Sequence, residues 1–569
     1  MEEKIGPALN ARIQSARNHD TFDVNIFMAG EPSDMINAAA DLENPGDTTE
    51  SIVADTNATS VVGRLKEQAA NRQRDVLEYL TGLGSAKNFV DSENMVAVPK
   101  VNMVQSFWIN NAVGAEVTLD VLKELLARPD VVYIELSQRI DMGDLVDEQK
   151  QPSIVGTSDK KHNGVAGSIH AEAPNNGKGS GVPAAFDVLN YLKEGNTFTA
   201  FADDVLDDTT RSTWSVKRVG APLLWQLGLN GDGVLVAVID TGVNYEHPDL
   251  RNRMWDGGEE FPNHGFDFGK VEGHDDNIPL DEGEQAGHGT ACAGIIAGDG
   301  TSGVRTGVAP GARIMALRVE EEDRRFWRAF EFAMCHHVHV ISMSLTWKAS
   351  KSQNYIGWRR LCESVLKEGI LHANSVGNNG AYSTDGVYGI PFNIGAPANC
   401  PPPRLHPLQP TPVGNGPHLS SVISCGATDE ADRLRNNSGR SPCAWESGLY
   451  TDFPFSNGTL PGLIKPDICA PGSSTDSCNW LFNGTAGKPY ISFTDTSSAA
   501  PHLAGCMALL AQACLRSNNP IVPWRVQEAL ENTAIQIEGQ QAKKEINFGA
   551  GRVDVFEAFN YGKEKGWWE

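Results

Sequence analysis

The sequence predicts an α/β protein in which a parallel sheet carries helices on both faces, preceded by a small α+β domain. Three observations carry that prediction. From Trp214 onward, short apolar runs alternate with helical patterns, as strand–helix–strand units require. The first 140 residues show a separate β-α-β-β-α-β pattern. Between them, residues 141–213 are rich in Gly, Ser, Asn and Lys without apolar periodicity, the texture of a flexible linker or activation segment. At 569 residues the chain exceeds one ordinary core, and its 40% apolar and 21% charged residues are enough to build more than one.

In the first domain, residues 22–30 read as a strand and Val61–Leu80 as an amphipathic helix. Phe107–Ala115 reads as a second strand, Thr118–Leu126 as a helix capped by Thr118, and Val131–Leu136 as a closing strand. An acidic, Thr-rich insertion at about 40–58 interrupts the pattern. In the linker, residues 183–195 can form one short helix. In the last region, residues 214–569, the strands are read at Val234–Ile239, Ile314–Val319, Val338–Leu345, Ile370–Val376 and Val422–Gly426.

A net charge of −25 excludes nucleic acid and anionic lipid as partners, because both need a basic face. No run of about 18 apolar residues marks a membrane span. The opening MEEKIGPALNARIQSARNHD lacks the apolar segment of a secretory signal, so a cytoplasmic location is expected, with non-standard secretion as the alternative. All ten cysteines lie at or beyond Cys292 without CxxC pairs, and are read as buried thiols rather than zinc ligands or disulfides.

Chemistry in such sheets collects at the carboxyl ends of strands. Asp240 follows the run VLVAVI; alone it is a turn-forming Asp-Thr-Gly. His288 opens the small-residue helix of GHGTACAGIIAG, and a single His there is more often structural. Ser497, in FTDTSSAAPHLAG, precedes an apolar helix and by itself is a cap, with Pro501 in the first turn. Together an acid, an imidazole and a hydroxyl are what makes a serine nucleophilic: the imidazole takes the hydroxyl proton, and the acid fixes its tautomer.

The order Asp, His, Ser and the flanks GVLVAVIDTGVNYEHPDL, GHGTACAGIIAG, GVAPGARIMALRV, VISMSL, SVGNNG, IKPDICAPG, TSSAAPHLAG and FGAGRVDVFEAF together resemble a subtilase. That resemblance implies a subtilisin-like serine endopeptidase working through an acyl-enzyme, with Asp240, His288 and Ser497 as its triad and Asn378 as the side-chain donor of the oxyanion hole. It implies that Ser344, Leu345 and Thr346 pair with an extended peptide or protein substrate, opposite Ser375, Val376 and Gly377. Thr346 and Trp347 stand where the family often has Gly, which predicts a narrower pocket entrance. Asp495 stands where the family usually has Gly, adding bulk and negative charge near the oxyanion.

The first domain, with SFWINNAV and ELLARPDVVYIEL, resembles the ferredoxin-like propeptide of subtilases, an intramolecular inhibitor that makes the precursor an autoinhibited zymogen. Self-cleavage is then expected between Ser137 and Leu145. The alternative is a catalytically weak or inactive peptide-binding regulator on the same scaffold, silenced by Asp495. No cofactor is required by this reading and no metal ligand is assigned. Cys335, His336, His337 and His339 are set aside as a metal cluster because neighbours at a helix end point apart. The acidic group Asp275, Asp276, Asp281, Glu282 and Glu284 reads as a solvated loop, with structural calcium left open. The stiff ANCPPPRLHPLQPTP insertion is expected to shape access to the site or to dock a partner, and the sequons at Asn436, Asn457 and Asn483 are without consequence unless the protein is exported.

Overall fold

The computed structural model describes residues 4–17, 20–30, 61–85, 89–90, 97–98, 100–139, 211–269, 276–283, 285–348, 355–380, 389–401, 420–447, 449–453, 455–456 and 460–569. The insertion at 40–58, the linker from 141 to 210 with its expected helix, and the proline run beyond 401 lie outside them.

The N-terminal sheet consists of β1 (Thr21–Met28), β2 (Val101–Phe107), β3 (Ala112–Thr118) and β4 (Val131–Leu136), antiparallel in the order β2-β3-β1-β4. Helices α1 (Pro7–Gln14), α2 (Val61–Ser85) and α3 (Leu119–Ala127) accompany it. Strand alternation divides its two faces. Phe22, Val24 and Ile26 pack with Val76 and Leu80 of α2 and Leu122 and Leu125 of α3, while Phe27 joins a different core.

Two expectations change here. The strand expected over Phe107–Ala115 is the hairpin between β2 and β3, turned at Asn111 with φ of 52°. The apolar Phe-Trp-Ile run masks a turn that depends on Asn tolerating the left-handed region. Buried Gln73 of α2 donates to the Phe107 carbonyl at 3.0 Å, satisfying the turn from inside. Thr118 does stand at the N-cap of α3, but its side chain makes no capping hydrogen bond.

The second sheet has seven parallel strands: β5 (Leu235–Asp240), β6 (Gly265–Asp267), β7 (Arg313–Arg318), β8 (Val340–Met343), β9 (Leu371–Ser375), β10 (Ile423–Thr428) and β11 (Ile468–Pro471). Their order is β11-β10-β9-β8-β5-β7-β6. The five expected strands are present with shifted ends; β6 and β11 are too short to show a period. Helices α4 (His288–Ala297) and α7 (Thr496–Arg516) pack together, α7 also lying against β8 to β11. α7 is long and apolar enough to cross a membrane by length and composition, but is almost wholly buried as a core helix.

Helices α5 (Asp323–Cys335) and α6 (Tyr355–Lys367) join the two sheets, which belong to one compact unit. Trp327 of α5 meets Phe27 and Phe107 edge-on at 6.2 and 5.2 Å. Buried Arg324 pairs with Asp23 at 2.8 Å and donates to the Asn25 side chain at 2.7 Å and the Val24 carbonyl at 2.6 Å. Gly114 makes room for it, since a Cβ there would lie 2.6 Å from the Arg324 guanidinium carbon. Glu331 accepts from the Trp108 and Ile109 N–H groups at 2.7 and 3.1 Å, and Arg360 donates to the Met28 carbonyl at 3.1 Å.

Candidate active site

β5 is where the sheet changes direction, with β7 and β6 on one side and β8 onward on the other, so a crevice opens at its carboxyl end. Asp240 is the last residue of β5. Gly242, at φ of 109°, then turns the chain so tightly that a Cβ would touch the Leu280 carbonyl. His288 is the first residue of α4, and its Nδ1 lies 2.7 Å from Asp240 Oδ1. The same oxygen accepts the Thr241 N–H at 2.8 Å, so the buried carboxylate is hydrogen-bonded on both counts.

Asp281 lies behind this pair. It accepts from Thr241 Oγ1 at 2.9 Å, and from the Thr290 N–H and hydroxyl at 2.9 and 2.5 Å. Thr241 Oγ1 in turn accepts the Gly289 N–H at 2.9 Å. Asp281 thus ties the end of β5 to the first turn of α4, and burial raises its pKa above the usual carboxylate value. Sequence reasoning placed it in the acidic loop; the only signal against that was its position seven residues before His288, in a stretch that packs under the strand end.

Ser497 is the second residue of α7, whose N-cap is Asp495. The capping position that Ser497 taken alone suggests is thus held by Asp495, and Pro501 sits inside the helix rather than in its first turn. Ser497 Oγ donates to the Ser344 carbonyl at 3.4 Å, and Ser344 Oγ to the Ser497 carbonyl at 3.1 Å. Cys292, one turn after His288, donates to the Ser497 carbonyl at 3.6 Å, so the first turns of α4 and α7 meet. Asn378 Oδ1 accepts from the Thr496 N–H and hydroxyl at 3.2 and 2.8 Å. Phe493 stands edge-on to the His288 ring at 5.3 Å.

Of the six residues expected to bind substrate, Ser344 is the one hydrogen-bonded to Ser497 among the described residues. Leu345, Thr346, Ser375, Val376 and Gly377 are buried, and Asn374 donates to the Leu345 carbonyl at 3.2 Å. Trp347 does not narrow an entrance: its backbone pairs with Ala396 at 2.8 and 2.9 Å, and its ring lies in the core against Phe326 and Trp358. The segment around Gly395, part of the insertion after Asn378, lies against Thr346 and Trp347.

The groups weighed as metal ligands are engaged elsewhere. His336 packs edge-on against Trp255 and Phe261 and tilted against Phe332, exposed His337 faces Glu368, and His339 Nδ1 accepts the Leu235 N–H at 2.9 Å. In the acidic loop Asp276 accepts the Ile278 N–H at 2.9 Å, while Asp275 and Glu284 lie outside the described residues. His247, Asp249 and Cys478 bring ligand atoms within 4.8 Å of one another. Both ring nitrogens of His247 are already bonded, to the Pro489 carbonyl and the Asp249 N–H, and Asp249 holds the Ser302 N–H and the Tyr490 hydroxyl. All ten cysteines are free thiols, nine of them buried.

A match to the subtilase family covers residues 231–552. Similar proteins include thermitase of Thermoactinomyces vulgaris, 27% identical over 354 residues, which are 61% of this chain and 95% of that protein. Subtilisin BL of Lederbergia lenta is 29% identical over 350 residues, 60% of this chain and 96% of the relative. The major intracellular serine protease of Bacillus subtilis is 27% identical over 301 residues, 52% and 73% of the two chains.

Proposed function

The chain belongs to the subtilase family and is a serine endopeptidase, and from that premise we propose that Asp240, His288 and Ser497 are its catalytic triad. The observation that carries this reading is the 2.7 Å bond from Asp240 to His288 Nδ1. It fixes the tautomer that leaves Nε2 to take the Ser497 proton. Ser497 Oγ then attacks the peptide carbonyl, His288 returns the proton to the leaving amine, and water releases the acyl group from Ser497 by the same route. The oxyanion is met by the Ser497 N–H, one of the first-turn groups with no acceptor within the helix, and by the Asn378 amide, whose oxygen is anchored on Thr496.

The precursor is a zymogen in this proposal, with the N-terminal sheet as its own inhibitor. The sheet docks on α5 and α6 through Arg324, Glu331 and Arg360. Beyond β4, the Gln138 carbonyl accepts the Asp323 N–H at 3.1 Å and Arg139 bridges Glu322 in antiparallel fashion. That brings the end of the domain alongside the segment whose Val319 N–H bonds the Asp240 carbonyl at 2.9 Å. Of the expected cleavage region, the residues beyond Arg139 lie outside the described ones. Tethering gives such an inhibitor a high effective concentration.

Asp495, the feature that favoured an inactive regulator, has its carboxylate paired with Arg435 at 2.6 Å. A fluorophosphonate probe tests the reading directly. The expected result is labelling of the chain once it is cut between 141 and 213, lost in Ser497→Ala. An unlabelled cut chain sinks the enzyme reading. An intact precursor that hydrolyses peptide as fast as the cut one sinks the zymogen reading alone.

A further inference from the structure

Asp495 occupies a backbone conformation, φ 68° and ψ −162°, that is populated essentially by glycine. It does so two residues before the nucleophile. Its N–H donates to the Gly472 carbonyl at 2.7 Å, and its own carbonyl accepts from Ser498 and Ala499 at 3.0 and 3.2 Å. A Cβ on Gly472 would lie 2.6 Å from that carbonyl oxygen, so the turn is closely wedged. The next residue, Thr496, holds Asn378. Whatever fixes Asp495 therefore fixes both the first turn of α7 and the Asn378 side chain.

Arg435 is the group that does so. Its Nε and Nη2 lie 3.1 and 2.6 Å from Asp495 Oδ1, and its Nη1 donates to Ser473 Oγ at 3.2 Å. The Arg435 backbone is itself held, its N–H donating to the Ala427 carbonyl of β10 at 2.9 Å. Asp495 is nearly buried, whereas the Arg435 side chain is about a third exposed at 32%. A carboxylate this close to the nucleophile opposes the negative charge of an oxyanion, and a fixed cation beside it removes that opposition.

We propose that Arg435 is a positioning residue for peptide hydrolysis: it holds Asp495 in the glycine-like turn and balances its charge, so that Ser497 and Asn378 face the oxyanion as they would with glycine there. This rests on the triad reading above. It makes Asp495 and Arg435 a compensated pair: Arg435 cannot be lost while Asp495 remains, whereas Asp495 can be returned to glycine without it.

The test uses the full chain cut in the 141–213 segment, with a fluorogenic peptide. Arg435→Met is expected to lower kcat tenfold or more with KM within twofold. Arg435→Lys, which keeps the charge without the fork, is expected to fall between. Arg435→Met/Asp495→Gly is expected to recover to within about threefold of the parent, a rescue that a purely structural arginine would not give. Parental kcat in Arg435→Met, or no recovery in the double variant, overturns the proposal. If Arg435→Met fails to fold, Asp495→Gly alone decides: kcat at least half the parent's supports the pair, and a fall below half overturns it. Fluorophosphonate labelling of Ser497 in the parent separates these outcomes from a failure of the triad reading itself.

Discussion

The active centre and the joint between the two sheets both bury charge, yet they draw their partners from different places. Asp240 is satisfied by Thr241 and His288, and Asp281 by Thr241 and Thr290, all within the C-terminal region. Arg324 and Glu331 stand on α5 but are satisfied by Asp23, Val24, Asn25, Trp108 and Ile109 of the N-terminal sheet. The first arrangement is complete without the N-terminal sheet; the second exists only with it. Such a joint is easily broken from the N-terminal side, because removing Asp23 leaves the buried Arg324 charge uncompensated.

The sharpest separation of the two regions comes from Ser497→Ala. Hydrolysis by the cut chain is expected to drop by about a millionfold, the scale for removing a triad nucleophile, with an unchanged melting temperature. Conversely, Arg324→Ala is expected to weaken the joint by about 3–5 kcal/mol, read as faster hydrogen exchange throughout β1 and β3. Parental kcat in the cut form of that variant would support the independence of the active centre, and a matching loss of kcat would end the comparison. Ile341→Ala, in the middle of β8 and fully buried, is expected to cost about 2–5 kcal/mol in global unfolding while leaving the joint's local exchange pattern in place.

The smallest expected effect concerns pH. Burial beneath the N-terminal sheet pushes the Glu331 carboxyl up to about 8, with the two backbone N–H groups working the other way. A carboxyl whose docked pKa is raised favours docking while it holds its proton. Its contribution is complete below the free value of about 4.3 and is lost as pH rises through 8. Release of the Trp108 and Ile109 amides, measured by hydrogen exchange and corrected for intrinsic rate, should increase steadily from pH 5 to pH 8 and become flat in Glu331→Gln. An identical pH dependence in both chains would assign the effect to another group.

Much of this organisation is legible in the chain. Five of the seven central strands and the helix after Ser497 follow from apolar patterning, because burial imposes that pattern, and the helix opened by His288 follows from small residues at helical spacing. What was misread has two causes. The β2–β3 turn and the inward course of Trp347 depend on Gln73 and Ala396, which are distant in sequence, whereas the place of Pro501 and the role of Asp281 depend on where helices α7 and α4 begin, at Thr496 and His288.

Asp495 gives the clearest division. By itself the sequence determined that an acid, an imidazole and a hydroxyl occur in subtilase order, and that an aspartate replaces the usual glycine beside the hydroxyl. From that alone the aspartate is an uncompensated negative charge. Only the tertiary structure decided otherwise, by bringing Arg435, sixty residues earlier in the chain, to 2.6 Å from its carboxylate. The physical reason is general: a residue's type fixes its charge and its conformational preference, but the energy of both in a buried turn is set by which distant group the fold places against it.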